Sequence, residues 1–294
     1  MDVLVLGGTY FIGKVLVELL MPVANSVWIL NRGTRSVSGK VGQISANRHN
    51  LADMKGALFG KKFDVVFDIS GYTENDVAIA TEALGRRFGQ YVFCSSIAVC
   101  KQLPIYWPIT EAHQKCDSVQ DNKYGYDKLT AEQHLFAYGK ENKIPITVVR
   151  PVYVYGPNDY SGRLDYFFER ISKNAQIVVA GNGENIIQFG YVYDLCNAMI
   201  SMMGKKIAFG EAFNVSGIEL VSVNQLIGLI SSIMCTEAKV LYGVSSEDSS
   251  PITSSHRFAD IGKARDILRI IPETRLFDGL TKTYQWWLTK GGSK

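Results

Sequence analysis

The chain has 294 residues, 47% hydrophobic and 20% charged, which sets aside disorder and suits either two compact domains or one large α/β unit with an insertion. A formal charge of +3 neither demands nor forbids a nucleic-acid partner. Five scattered cysteines (Cys94, Cys100, Cys116, Cys196, Cys235) form no C-x-x-C pair, no histidine stands at metal-ligand spacing, and no apolar run reaches the roughly 18 residues of a membrane span; a reduced, cytoplasmic protein with no metal, no signal peptide and no membrane partner is expected.

The chain opens with an apolar run, Val3–Leu6, followed by "GGTYFIG" and a helical stripe at Ile12, Val15, Leu16 and Leu19. Further strands are predicted at Ser26–Leu30, Val65–Asp68, Tyr91–Cys94 and Ile146–Val149, with helices over Glu74–Leu84 and Tyr124–Tyr138. Most of these runs are apolar enough to be buried on both faces, so the alternation predicts a doubly wound parallel sheet with helices on each side. After "VVRPVYVYGPND" (Val148–Asp159) the alternation stops, and a mixed region follows with a turn at Gly181–Asn185 and a helix pattern at Val223–Ile233. "FNVSG" (Phe213–Gly217) reads as one more buried strand that returns to the sheet. The expected division is a dinucleotide domain over 1–155 with 188–217 returning to it, and a smaller mixed α/β substrate lobe over 156–187 and 218–294.

A strand, close-set glycines and a helix expose backbone N–H groups and a helix N-terminus to a pyrophosphate. Gly7, Gly8, Thr9, Tyr10, Phe11, Ile12 and Gly13 are the candidate loop, with Tyr10 standing where a G-x-x-G-x-x-G pattern has its middle glycine. The second strand ends "WILNRGTR", where Asn31, Arg32 and Arg35 replace the carboxylate that selects NAD; a guanidinium there pairs with a 2′-phosphate, so NADP is favoured over NAD.

Downstream, "FCSSIAVC" ends a strand and "YGYDK" starts a helix. Tyr124 and Lys128, four apart, share a helix face about 6 Å apart along the axis. A phenol titrates near 10 (about), so acid–base work near neutrality requires positive charge beside it, here the Lys128 ammonium and an oxidised nicotinamide. Ser95 or Ser96 stands ready to hydrogen-bond the same substrate oxygen.

In this order, the motifs resemble the extended short-chain dehydrogenase/reductases, the NAD-dependent epimerase/dehydratase family, over essentially the whole chain. "GGTYFIG" matches the loop, "FDVVFDISGY" (Phe63–Tyr72) the segment flanking the adenine ribose, "SSIAV" the serine motif, "YGYDKLTAE" the Tyr/Lys pair, and "RPVYVYGP" the strand facing the cofactor. "QFGYVYDLCNAM" (Gln188–Met199) and "FADIGKARDIL" (Phe258–Leu268) resemble the segment returning from the substrate lobe and the start of the C-terminal helix. The resemblance implies Ser96, Tyr124 and Lys128 as the catalytic set. It implies Asn47, Ile69, Ser70, Gly71, Pro151 and Val152 as further cofactor contacts, with Asn47 where relatives have an adenine-binding Asp, and it gives Tyr124 and Lys128 a second role as cofactor contacts, Lys128 holding the ribose. The combination of GGT-x-F-x-G, FDVVFDIxG and Q-[FL]-G-x-V-x-DL is similar to one sub-branch, the bacterial relatives of chloroplast stem-loop RNA-binding proteins.

Three positions depart from relatives acting on UDP-sugars: Tyr153 replaces an Asn, Ile187 replaces an Arg that clamps the diphosphate, and Ser245–Ser255 carries no second Arg, leaving Arg163, Arg170 and Arg257 as alternatives. The resemblance implies hydride transfer at a carbinol carbon of a sugar nucleotide or similar polar substrate, as epimerase, dehydratase or reductase, in a homodimer. The alternative is a nucleotide-sensing or RNA-binding protein on the same fold. The balance of 31 basic against 28 acidic residues, without a basic run, favours the enzyme.

Overall fold

A computed structural model of the chain describes residues 1–33, 40–101, 106–243, 250–252 and 255–291. The first part runs β1 (Asp2–Leu6), α1 (Phe11–Leu20), β2 (Ser26–Asn31), β3 (Val41–Ser45), α2 (Leu51–Ala57), β4 (Phe63–Asp68), α3 (Glu74–Leu84), β5 (Phe88–Cys94), α4 (Lys123–Asn142) and β6 (Ile146–Pro151). The second runs β7 (Tyr153–Tyr155), α5 (Arg163–Ser172), β8 (Gln176–Val179), β9 (Ile186–Tyr191), α6 (Val192–Ser201), β10 (Glu211–Val215), β11 (Leu220–Ser222), α7 (Val223–Met234), β12 (Lys239–Tyr242), α8 (Gly262–Leu268) and α9 (Leu276–Thr289).

Among the described residues, seven strands form one parallel sheet in the order β10-β6-β5-β4-β1-β2-β3. The alternation of β1 explains the layers. Val3 and Val5 face α1 and α6, whereas Leu4 and Leu6 face α2, α3 and α4, so that both faces are apolar and both are covered. The doubly wound sheet expected from the sequence is thus observed. Because the chain winds outward from β1 to β3 and then from β4 to β6, its direction reverses between β1 and β4, and the strand ends there leave a crevice.

β3 was absent from the sequence pattern for a visible reason. "VGQIS" is a short edge strand with one buried side chain, Ile44, and at Gly42 a Cβ would collide with the Trp28 ring stacked across it. The returning strand is found where "FNVSG" suggested: β10 pairs with β6, placing Phe213 against Val149. Gln188–Tyr191, by contrast, belongs to β9, which pairs with β7 and β11 in a separate three-stranded sheet. That sheet, α5, α7 and α9 surround a third apolar core containing Phe167, Phe168, Leu226, Leu280 and Trp287. Trp287 is core, packed near Phe168 and Tyr284.

α4, which carries the Tyr/Lys pair, is tied to β6 by a buried ion pair. Arg150 Nε and Nη2 donate to the Glu132 carboxylate at 2.9 and 2.5 Å, and both side chains are buried. Removing one partner strands the other charge in a dry interior, so Glu132→Ala is expected to destabilise the protein by about 3–5 kcal/mol. Urea denaturation measures this, and a loss within the range of a surface pair would show that the contact is not holding the helix.

Candidate active site

The crevice at the β1/β4 reversal opens into a cleft of about 940 Å³ that continues to the second lobe. The glycine turn forms one wall. Gly7 has φ +95°, and a Cβ on it would lie 2.7 Å from Ser70 Cβ; a Cβ on Gly13 would collide with the Gly7 carbonyl oxygen. Both positions therefore require glycine. Gly8 is required by packing instead, because a Cβ on it would lie 2.5 Å from the Ile29 side chain and 3.0 Å from that of Val17. Tyr10 needs no glycine, because it is extended at φ −131°, ψ 148°, and its ring stands in the cleft mouth. Tyr10 is also the N-cap of α1 and makes no side-chain cap, so the first N–H groups of that helix keep their donors for a ligand.

Thr9, Phe11, Ile12, Arg32, Ile69, Ser70, Pro151 and Val152 also line the cleft. Asn31, Asn47 and Gly71 do not. Asn31 Oδ1 accepts from Gly33 N and Gln43 Nε2. Asn47 Oδ1 accepts from His49 N, while its own N donates to Asp53. The Gly71 carbonyl is taken by Lys128. Arg35 lies outside the described residues.

Ser96, Tyr124 and Lys128 meet in the middle of the cleft. Asn122 caps α4 by accepting from Gly125 N at 3.1 Å, and Gly125 passes so close to Ala98 that a Cβ would collide with its carbonyl oxygen; this brings the first turn of α4 onto the serine strand end. Ser96 Oγ accepts from Ala98 N at 3.1 Å, whereas Ser95 Oγ is buried without a hydrogen-bond partner among the described residues. Lys128 Nζ donates to Gly71 O and Cys94 O, both at 2.7 Å, leaving one of its three donors.

Within the protein alone, burial sets the electrostatics of the pair. Tyr124 opens 45% of its surface into the cleft yet stands deep among protein atoms, and this burial pushes its phenol up to about 12; the Cys94 thiol adds to the rise, and Ser96 and Arg163 oppose it. Burial also pushes the Lys128 ammonium down. Fixed between two carbonyls, that ammonium does not lower the phenol within the protein alone.

Behind Lys128 lies a buried network that the sequence did not single out. Asp68, at the end of β4, accepts from Arg48 at 2.8 and 3.0 Å, from Tyr91 Oη at 2.7 Å, and from the backbone N of Ser70 and Gly71. Burial would raise this carboxyl, but the Arg48 guanidinium, with help from Tyr91 and Lys128, holds it below the ordinary carboxylate value. A carboxylate ending the apolar run "VVF" was the available signal. Tyr72, the last residue of FDVVFDISGY, and Tyr160, which belongs to no motif, bridge the cleft: their hydroxyls are 3.5 Å apart, and Tyr160 packs edge-on to Tyr10 and Phe11.

Among the described residues no helix is long and apolar enough to cross a membrane. The family description "NAD dependent epimerase/dehydratase family" matches residues 3–216. The chloroplast stem-loop binding protein of 41 kDa b from Arabidopsis thaliana is 30% identical over 96% of this chain and 78% of its own length. In fold, the chain is similar to UDP-glucose 4-epimerase with UDP-glucose from Thermotoga maritima (TM-score 0.85, 20% identity, 99% of each chain). It is likewise similar to UDP-glucuronic acid 4-epimerase in complex with UDP-glucuronic acid and NAD from Bacillus cereus (TM-score 0.84, 21% identity, 99% of this chain and 100% of that one).

Asp68→Asn, which leaves Arg48 buried without its counter-charge, is expected to cost about 3 kcal/mol at pH 7. A carboxyl depressed in the native state stabilises fully above its unfolded value of about 3.9 and loses that contribution as pH falls through the native value. The stability gap between wild type and Asp68→Asn should therefore narrow below about pH 4. A gap independent of pH in urea titrations would contradict the ion-pair account.

Proposed function

The chain belongs to the NAD dependent epimerase/dehydratase family, and from that premise we propose that it is an NAD(P)-dependent enzyme acting at a carbinol carbon of a sugar nucleotide. The observation that carries the reading is the convergence of the glycine turn, Ser96, Tyr124 and Lys128 on one cleft. The fit to a dinucleotide is supported by glycines that a Cβ would obstruct, by the uncapped start of α1, and by the orphaned Ser95 hydroxyl. When bound, the nicotinamide supplies the hydride acceptor or donor.

The protein's own groups do the rest. Tyr124 Oη exchanges the proton of the substrate hydroxyl, and Ser96 Oγ orients that oxygen. Lys128, held by the Gly71 and Cys94 carbonyls, keeps its third N–H for a ligand hydroxyl and supplies a fixed positive charge. With its phenol near 12 in the protein alone, Tyr124 is an acid at neutral pH, and proton abstraction by it depends on added positive charge in the loaded cleft. The same reading carries a cytoplasmic homodimer as its expected state, which sedimentation equilibrium tests.

Tyr124→Phe is expected to lower turnover by about 10²–10⁴-fold while changing dinucleotide affinity far less, since the ring stays in the cleft and only the proton-transfer group is removed. Calorimetric titration with NAD and NADP, alongside single-turnover assays on UDP-glucose and UDP-glucuronate, reads both quantities; absence of affinity for either dinucleotide would overturn the enzyme. For cofactor choice we propose NADP, because Arg32 reaches the cleft from a turn on which the sequence carries no carboxylate. Arg32→Ala should then weaken NADP by about 10-fold and leave NAD unaffected, a charge-assisted contact being worth at least about 1.5 kcal/mol.

A second reading is RNA binding, favoured by the similarity to the stem-loop binding protein. Filter binding separates the two: tight, steeply salt-dependent RNA affinity that Tyr124→Phe leaves intact, without turnover on either sugar nucleotide, would put RNA first.

A further inference from the structure

We propose that Tyr160, carried by the loop between β7 and α5, is a strap across the crevice at the β1/β4 reversal, and that it must lift for a dinucleotide to enter or leave. The proposal takes its ligand from the dinucleotide reading above and adds to it the control of exchange by this loop.

The crevice has a bank on each side, Tyr10 and Phe11 after β1 and Tyr72 after β4. Tyr160 touches both. Its ring meets those of Tyr10 and Phe11 edge-on, with centroids 5.9 and 6.3 Å apart, and its hydroxyl lies 3.5 Å from that of Tyr72. A side chain from the second lobe thus spans the opening beside the uncapped first turn of α1. Tyr160 keeps 65% and Tyr10 47% of its surface exposed, so the two rings meet at the rim of the cleft and not on its floor. That position suits closure over a ligand; a ring filling the ligand's own place would be buried.

The loop is built to move as one piece. Gly156 (φ +141°) and Gly162 (φ +71°) stand at its ends, in backbone conformations that side chains rarely adopt. Between them Asp159 N donates to Gly156 O at 3.2 Å and Asp159 Oδ1 accepts from Ser161 N at 2.8 Å, which ties the turn to itself. Its ties to the first lobe are weaker ones: the two edge-on ring contacts, the long hydroxyl contact, and an exposed hydrogen bond from Lys14 Nζ to Asn158 Oδ1 at 2.9 Å. Each is modest alone, so the strap can release without disturbing either core.

A strap and a ligand contact differ in kinetics. Losing a contact speeds departure only, whereas losing a strap speeds both directions. Stopped-flow fluorescence of NADH and NADPH with the full chain reads both rates in wild type, Y160A and N158A, with melting curves to verify folding. Wild-type association should level off with rising dinucleotide, as opening becomes limiting. Y160A should raise association and dissociation together by about 10-fold, the size of two lost aromatic contacts. N158A, which removes only the exposed bond, should shift both rates the same way by less, and it carries the test should Y160A not fold. A rise in dissociation alone makes Tyr160 an ordinary ligand contact and overturns the strap, as do unchanged rates in the folded variants; either result leaves the dinucleotide reading standing. Binding by Y160A but not by wild type makes Tyr160 a plug and likewise overturns the strap. Failure of wild type and both variants to bind either dinucleotide overturns the strap and that reading together.

Discussion

The Asp68 carboxylate is the constraint on which the cleft depends. Removing an ion from water costs several kcal/mol, and Asp68 is fully buried. It is tolerable there because two N–H groups of Arg48, the Tyr91 hydroxyl and two backbone amides converge on it. The donors come from three places in the sheet. Arg48 follows β3, Tyr91 stands in the middle of β5, and Ser70 and Gly71 follow β4. The ligation of one carboxylate therefore ties the end of β4 to β5 and to the segment after β3. It also aims the Gly71 carbonyl at Lys128, so the Lys128 ammonium takes its place from a buried network behind the cleft.

The second constraint is steric. Gly7 approaches Ser70, Gly13 approaches the Gly7 carbonyl, and Gly125 approaches Ala98, each closer than a Cβ permits. Two of these contacts hold the glycine turn, and the third seats α4 beside Ser96. Tyr10, which interrupts the glycine pattern, sits in extended backbone and so costs the turn nothing. Its ring instead meets Tyr160 from the second lobe, and the cleft is spanned by aromatic contacts.

Much of this was legible in the sequence, and for physical reasons. Buried parallel strands must be apolar on both faces, so β1, β2, β4, β5 and β6 announced themselves, and a helix bearing Tyr124 and Lys128 at a spacing of four could present both to one side. What escaped were features without periodicity. β3 is short, polar and glycine-containing at a sheet edge. Arg48 and Tyr160 act through long-range proximity that spacing along the chain does not encode. The direction of the Tyr124 shift escaped as well, because it depends on how deeply the ring is enclosed and on which acceptors already hold Lys128.

The pairing of β10 with β6 has a consequence for how the molecule forms. Glu211 stands opposite Thr147, so β7, α5, β8, β9 and α6 are all an insertion between neighbouring strands of the large sheet. Closing that pair carries the loop entropy of the whole insertion, and prior compaction of the insertion reduces the distance to be closed. The second lobe is thus not an appendage translated after a finished first one. Its first half precedes in the chain the strand that completes the edge of the large sheet.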